Sequence, residues 1–259
     1  MLSGNILDVY PDYQRNVMVT WLVGDGRATR VEEVYEPSFY VYSSSKDLPS
    51  LAKVLESLPQ VKHVRYTLAK LVLGSEKQTM VLEVIPKTLR SLRTLAAMVD
   101  SWGGYHEYQL FNVDLRLPTR YLLSRGVFCH AWVKWDGKQF MLDDEQWALD
   151  YEVPSLRVLS FDVKQKTRGN LSSFDSPISS IVLGDETVQE ENEGDTIRSA
   201  MGRIKKIDPD VLSTVNGDTV VFPFLYHRAK VCGIHHEICL GREQSLRRNT
   251  LEPVKEGKS

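Results

Sequence analysis

Asp162 is the residue of this sequence best placed to bind a catalytic metal ion, since it ends the apolar run Leu156–Asp162 that predicts a buried strand. Divalent cations such as magnesium take oxygen ligands, and a strand supplies two on one face when carboxylates stand two residues apart. Two positions after Asp162 the chain has Lys164, a cation. Its ammonium group is expected to pair with Asp162 and repel a metal ion. We therefore expect a strand residue that pairs with Lys164, and no metal site.

A second group with metal-binding chemistry is Cys232, His235, His236 and Cys239. Thiolate and imidazole ligands at such spacings can hold zinc. Paired Cys-x-x-Cys motifs are absent from the sequence, however, and a strand over Ile234–Leu240 points Cys239 away from the face shared by Cys232 and His236. The spacing therefore does not favour a zinc site.

Nucleic-acid binding is constrained by the charge of the chain. The net charge is −2 and the pI is near 6.3, whereas proteins that grip a phosphate backbone unaided usually carry a basic surplus. Binding to DNA must then be local, weak or shared with another chain. The basic groups available for it lie towards the carboxyl terminus and are Arg242, Arg247, Arg248, Lys255 and Lys258.

Length and composition are those of an ordinary globular protein. The 259 residues, of which 42% are hydrophobic and 25% charged, suffice for one large domain or two small ones. Three cysteines are too few for a disulfide scaffold and suit a reducing interior. No secretory signal or apolar run of about 20 residues is evident. These features predict a cytoplasmic protein with no membrane segment.

The first 154 residues are predicted to be rich in strands with a few helices. Pro11-Asp12 is expected to form a turn, and Gly24-Asp25-Gly26 and Asp136-Gly137 to form hairpin turns. The predicted strands are Asn5–Tyr10, Asn16–Val23, Val31–Tyr42, Val61–Leu73 and Met80–Ile85, with a hairpin over Phe128–Met141. The predicted helices are Leu48–Leu58, Thr88–Val99 and Pro118–Arg125. Acidic residues between Asp143 and Pro154 form a predicted linker.

The second half alternates strands with helices, which predicts an α/β layer with a parallel component. After the strand that ends at Asp162, strands are expected over Ile178–Leu183 and Val211–Val215. Asp195 is expected to cap a helix that presents Ile197, Ala200, Met201, Ile204 and Ile207 on its apolar face. A last helix is expected over Phe222–Val231, after a loop at Asn216–Asp218.

Several of these segments, in the same order, resemble the family B DNA polymerases, particularly the archaeal kind. The most specific is Asn216–Leu225, NGDTVVFPFL, which is similar to the family's second exonuclease motif, Asn-Gly-x-x-Phe-Asp-x-Pro-Tyr-Leu, and is followed by Arg228-Ala229. Val158–Asp162 is similar to the strand that carries the first exonuclease motif, Asp-x-Glu. Glu36–Tyr40 and Leu117–Leu122 resemble parts of the family's amino-terminal domain. The resemblance spans nearly the whole chain.

The resemblance implies an α+β polymerase amino-terminal domain over 1–154 and an RNase H-like 3′–5′ exonuclease-type domain with a mixed sheet over 155–259, incomplete at its carboxyl end. The family's exonuclease uses two divalent cations held by carboxylates. Asp162 stands at the family's aspartate, but Lys164 stands at its glutamate and Val221 at the aspartate of the second motif. The family's third motif and the helix that closes its sheet would follow Ser259, so Leu159 and Ile181 are expected to lie partly uncovered. One of four expected carboxylates remains, so we expect neither nuclease activity nor a metal cofactor.

Two binding regions are also implied by the resemblance. Asn216 and Gly217 belong to the second motif and, with Arg242, Arg247 and Arg248, are candidates for contacts with nucleic acid. Pro37 and Ser38 match the region from which archaeal members build a pocket that senses uracil in template DNA. The family usually has an aromatic residue where this chain has Ser38, and an ordinary strand that packs Phe39 inward is the favoured interpretation.

The function implied by the resemblance is DNA binding or scaffolding in replication or repair, with a companion chain carrying the polymerase palm as one arrangement. Two alternatives remain open. The first is a working magnesium-dependent 3′–5′ exonuclease that uses Asp162, Asp218 and a third acid such as Asp175 or Asp185. The second is a non-catalytic interaction module on the same fold.

Overall fold

The computed structural model describes residues 1–44, 47–72, 74–145, 154–166 and 173–243. The chain divides into two compact units, Met1–Pro154 and Ser155–Ser259, each with hydrophobic cores of its own. Strands and helices occur in both units, which confirms the predicted mixed α/β class. Within the described ranges, no helix has the length and apolar character that a membrane crossing requires.

The first unit contains two sheets whose described strand pairs are all antiparallel. Its strands are β1 (Leu2–Asp12), β2 (Val17–Gly24), β3 (Arg27–Glu33), β4 (Phe39–Tyr42), β5 (Val61–Ala69), β6 (Thr79–Pro86), β7 (Gln109–Phe111), β8 (Trp132–Trp135) and β9 (Phe140–Leu142). Its helices are α1 (Leu48–Glu56), α2 (Ser91–Trp102) and α3 (Leu117–Arg125). One sheet has the order β3-β2-β1-β8-β9 and the other β5-β6-β4-β7.

Local capping residues and proline set the ends of α1 and α3 in the first unit. The Asp47 side chain accepts a hydrogen bond from the Ser50 backbone N–H at the start of α1. Helix α3 has Pro118 in its first turn and ends at Gly126, whose φ of 64° is left-handed. The predicted helix over Pro118–Arg125 is therefore confirmed.

Two predictions for the first unit are wrong in detail. Pro11-Asp12 is not a turn, because both residues continue β1 and pair with Met18 and Val17. The chain reverses after Asp12, where the Asp12 carboxylate accepts hydrogen bonds from the following backbone N–H groups. Val31–Tyr42 is not one strand either: β3 ends at Glu33 and β4 begins at Phe39, on either side of Pro37. Proline lacks the N–H that a continuous ladder requires.

The second unit is a four-stranded mixed sheet with two helices against it. Its strands are β10 (Val158–Gln165), β11 (Ile178–Leu183), β12 (Glu186–Val188) and β13 (Val211–Ser213), in the order β12-β11-β10-β13. Its helices are α4 (Glu193–Ile207) and α5 (Phe222–Val231), and β13 pairs in parallel with β10. Leu159, Phe161 and Ile181 are buried with residues of both helices. The opposite face of β10 and β13 exposes Val158 and Val211.

Three expectations for this unit require correction. Strand β10 does not end at Asp162, because pairing with β11 continues to Gln165. Helix α4 is capped by Asn192, whose side chain accepts from the Asp195 N–H; Asp195 itself lies in the first turn. Leu159 and Ile181 were expected to lie partly uncovered beneath a missing helix, but α4 and α5 bury both. Of the predicted linker, residues 146–153 lie outside the described residues.

Candidate functional site

The centre of the candidate exonuclease-like site is β10, which places Asp162 and Lys164 on one face. Leu159 and Phe161 alternate with them and point into the core. The Lys164 ammonium group donates to Asp162 Oδ2, and both side chains are about half exposed. The remaining oxygen of Asp162 accepts from the Val163 N–H at 2.8 Å. Lys164 therefore supplies a positive charge at the position where the resemblance implies a second metal-binding carboxylate.

Val221, which the resemblance places at the aspartate of the second motif, packs against the core of the second unit. Val221 ends a π-helical turn, Gly217–Val221, and lies directly before α5. It is half-buried and packs against the core formed by β10, β11, α4 and α5. The adjoining rings of Phe161 and Phe222 are 5.9 Å apart between centroids, which brings the start of α5 against β10. An isopropyl group offers no lone pair to a cation.

Asn216 and Gly217 form the entry to this π-helical turn, so the expectation of a plain loop is wrong. Asn216 has a left-handed backbone, φ 54°, and its carbonyl accepts from the N–H groups of Val220 and Val221. A Cβ atom on Gly217 would lie 2.7 Å from Thr214 Cγ2 and 2.9 Å from Phe222 Cε2. Close packing thus gives a structural reason for glycine here. The nucleic-acid role of both residues stays a prediction.

The acids required by the exonuclease alternative are dispersed. Asp218 is exposed on the π-helical turn. Asp175 precedes β11 and Asp185 follows it, and a six-residue strand is about 20 Å long, so at most one of the two can approach Asp162. Within the described ranges, no group of three or more His, Cys, Asp or Glu side chains is arranged to hold a metal ion. The described residues therefore do not fit a two-metal site.

The cysteines and histidines after α5 do not converge either. His235–Glu237 is a short 3₁₀ turn, so the strand considered over Ile234–Leu240 is wrong. Cys232 Sγ lies 3.5 Å from Glu193 Oε2, while Cys239 Sγ lies 3.1 Å from the Gly241 carbonyl oxygen. The thiols are thus held by different local partners.

A buried ion pair that the sequence does not single out joins α4 to α5. Arg228 donates from Nε and Nη2 to the two carboxylate oxygens of Glu193, at 2.8 and 2.7 Å. Glu193 also accepts from the Ile178 N–H, and Arg228 Nη1 donates to the Asp175 carbonyl. Burial by itself raises the pKa of Glu193, but the hydrogen bonds outweigh it and hold the pKa below its usual value. The only sign of this ion pair in the sequence was that Arg228 belongs to the Arg-Ala pair after the segment that resembles the second motif.

Arg242, a candidate for phosphate contact, lies in a second ion-pair network. Its Nε donates to Asp208 Oδ1 and its Nη2 to Asp210 Oδ1, each at 2.6 Å. Arg157 donates to the same two carboxylates, and the Asp210 side chain is 1% exposed. The charge of Arg242 is thus matched by neighbouring acids. Arg247, Arg248, Lys255 and Lys258 lie outside the described residues.

Ser38 lines a cavity of about 660 Å³ in the first unit, together with Tyr35, Tyr40, Asn112 and Arg120 among others. Pro37 is buried, and Phe39 packs inward with no exposure, as the favoured interpretation has it. Arg120 donates from Nη2 to the Ser38 carbonyl. Its buried Nη1 has no hydrogen-bond partner among the described residues. Burial lowers the pKa of Arg120 from its ordinary value.

Comparison with known proteins gives consistent matches. The sequence is 25% identical over 281 residues to DNA polymerase 2 of Aeropyrum pernix, covering 93% of this chain and 34% of that protein. It is 23% identical over 245 residues to the DNA polymerase of Methanocaldococcus jannaschii, covering 84% of this chain and 14% of that protein. The chain is similar to archaeal DNA polymerases. No model of a known protein family matches it.

The fold gives a more specific match within this group. The structure of the family B DNA polymerase from the hyperthermophilic archaeon Pyrobaculum calidifontis superposes with a TM-score of 0.70 at 24% sequence identity, over 95% of this chain. The shared region is 35% of that polymerase. This confirms the resemblance to archaeal family B polymerases. The chain spans about a third of DNA polymerase 2 of Aeropyrum pernix.

Proposed function

We propose that this chain forms the amino-terminal and exonuclease-domain portion of an archaeal-type family B DNA polymerase, and that it binds DNA or acts as a scaffold without nuclease activity of its own. In this proposal residues 1–154 are the polymerase amino-terminal domain. Residues 155–259 are the RNase H-like 3′–5′ exonuclease-type domain. The support is the shared fold over 95% of the chain, together with the polymerase relatives.

The observation that carries the inactive assignment is the pair between Lys164 and Asp162. A metal ion at Asp162 must displace this ammonium group, and the repulsion between the two cations opposes its binding. Val221 adds no ligand, because its side chain packs against the core of the second unit. With one carboxylate left, neither of the two cations required for strand cleavage has its oxygen ligands.

A companion chain that carries the polymerase palm is one arrangement within this proposal. Val158 and Val211 pair on the open face of β10 and β13 and are 63% and 36% exposed, which offers such a contact a small apolar surface. The expected cytoplasmic location and weak DNA binding by the chain alone stay predictions.

The test combines binding and cleavage of one DNA substrate. A primer–template with a mispaired 3′ end, labelled with fluorescein, is titrated with the chain at low salt, and the same mixtures are then incubated with magnesium or manganese. We expect a rise in anisotropy and primers of unchanged length. Cleavage from the 3′ end that Asp162→Ala abolishes would support the exonuclease alternative. The absence of any DNA binding would support the interaction module.

A further inference from the structure

Strand β5 forms one edge of the sheet with the order β5-β6-β4-β7. Its nine residues, Val61–Ala69, pair with β6 on one side, and no other described residue forms a backbone hydrogen bond with residues 62–69. In an antiparallel ladder the N–H and C=O groups of alternate residues point away from the partner strand. The outer edge of β5 therefore offers backbone groups with which an additional strand can pair.

The far end of β5 carries apolar side chains that the helices leave uncovered. Tyr66 pairs with Leu82, which is buried in the core shared with α1 and α2. Two residues further along β5, Leu68 pairs with Met80 on the same side of the sheet. A nine-residue helix such as α1 is about 14 Å long, whereas a nine-residue strand spans about 30 Å, so α1 covers only part of β5. Tyr66, Leu68 and Met80 are 48%, 55% and 49% exposed and form an apolar overhang.

The charges of β5 favour an acidic partner. Lys62 and Arg65 lie on the strand and Lys70 follows it, whereas residues 61–75 contain no acid. Arg65 Nε lies 2.6 Å from Glu83 Oε2, and the Arg65 side chain is still 65% exposed, so its other N–H groups can meet a second carboxylate. Lys62 and Lys70 each pair with a carboxylate at the surface. Such exposed pairs contribute little free energy, and a carboxylate of a partner can compete with them.

We propose that β5 binds an extended peptide of a partner protein in which aliphatic and acidic residues alternate. The peptide adds a strand at the outer edge of β5, with its aliphatic side chains on the apolar overhang. Its carboxylates face Arg65 on the opposite side of the sheet, because adjacent residues of a strand point to opposite faces. A second copy of this chain fits less well, since self-pairing brings one basic strand against another. A nucleic acid fits less well too, because Leu68 and Met80 have no ring on which a base can stack.

The test uses the full chain and a fluorescein-labelled synthetic peptide that alternates glutamate and valine over the length of β5. One comparison peptide alternates lysine and valine, and another groups the same glutamates and valines in two blocks. Anisotropy follows binding to the wild type and to Leu68→Ser, which removes the centre of the apolar overhang. The matched control is Leu123→Ser, because Leu123 is a similarly exposed leucine of the first unit and lies on α3. Thermal unfolding followed by tryptophan fluorescence verifies that the first unit of each variant is folded.

We expect the alternating acidic peptide to bind the wild type more tightly than either comparison peptide does. Leu68→Ser should lose about tenfold in affinity, as the loss of a leucine side chain from an apolar contact does, and Leu123→Ser should bind as the wild type does. The peptide should also slow amide hydrogen exchange in Val61–Ala69, because the outward N–H groups of β5 gain acceptors.

Failure of the alternating acidic peptide to bind, or wild-type affinity in folded Leu68→Ser, would overturn the assignment of this edge. Equal binding of the block peptide would show attraction between charges without strand addition, and would overturn it as well. Displacement of the peptide by oligothymidylate would assign β5 to nucleic acid instead. A dimer of the wild type, detected by light scattering and dissociated by Leu68→Ser, would assign the edge to a second copy of the chain.

Discussion

Replacing Glu193 by Gln is expected to destabilise the second unit by about 3 kcal/mol. The side chains of Arg228 and Glu193 are only 8% and 13% exposed, so the change leaves a buried guanidinium group without its counter-charge. Removing one partner of a buried pair costs about 3–5 kcal/mol. We take the lower end because the glutamine amide oxygen can still accept from the Ile178 N–H. The matched control is Glu186→Gln, whose pair with Arg203 is exposed and contributes about 1 kcal/mol or less.

The assay must separate the two units. All five tryptophans precede Ser155, so tryptophan fluorescence follows the first unit. Amide hydrogen exchange at Ile178–Leu183 reports on the second unit. We expect Glu193→Gln to speed exchange there about a hundredfold and to leave the fluorescence transition unchanged. Equal exchange rates in the two variants would refute the assigned strength of the buried pair.

The same pair predicts a pH dependence with a definite sign. The pKa of Glu193 is lower in the folded chain than the value of about 4.3 for an unfolded chain, despite the burial that raises it. The contribution of the Glu193–Arg228 pair to stability is therefore fully present above the pKa of Glu193 in the unfolded chain. It is lost as the pH falls through the pKa of Glu193 in the folded chain. The difference in the free energy of unfolding of the second unit between wild type and Glu193→Gln should shrink as the pH falls below about 4.

Two further predictions concern packing and DNA. Gly217→Ala should lower the free energy of unfolding of the second unit by about 1–3 kcal/mol, because the new methyl group meets Thr214 and Phe222. Hydrogen exchange measures the change. The control is Gly202→Ala, where the methyl group enters open space and should stabilise α4. DNA affinity should be weak, fall steeply with salt and drop on removal of residues 244–259, as anisotropy at several salt concentrations would measure; nanomolar affinity at high salt, or affinity that survives the truncation, would contradict it.

Local signals sufficed for several elements of this fold. Helix α5 has the bounds predicted from the sequence, Phe222–Val231, because proline opens it and the apolar positions are regularly spaced. Helix α4 ends at Ile207, directly before Asp208-Pro209-Asp210, and Asp208 adopts a left-handed backbone there. These features depend on neighbouring residues alone, which a sequence displays directly.

Two of the errors come from interactions between residues distant in sequence. The continuation of β10 past Asp162 depends on its ladder with β11, and the burial of Leu159 depends on helices far along the chain. In the candidate site, the pair between Asp162 and Lys164 was foreseen because a strand repeats every two residues. The pair between Glu193 and Arg228 was not foreseen, because 35 residues separate them. Nor was the pair between Arg242 and Asp208, which are 34 residues apart.

The central claim is that Lys164 and Val221 deprive Asp162 of a metal site, and calorimetric titration with manganese tests it most directly. Wild type and Lys166→Glu, a control that adds an acid two residues beyond Lys164, should show no saturable binding. Lys164→Glu combined with Val221→Asp puts a carboxylate at each of the two positions that the resemblance assigns to a lost ligand, and should bind manganese without full nuclease activity. Saturable binding by the wild type that Asp162→Ala removes would contradict the claim, as would a double variant that binds no better than the wild type.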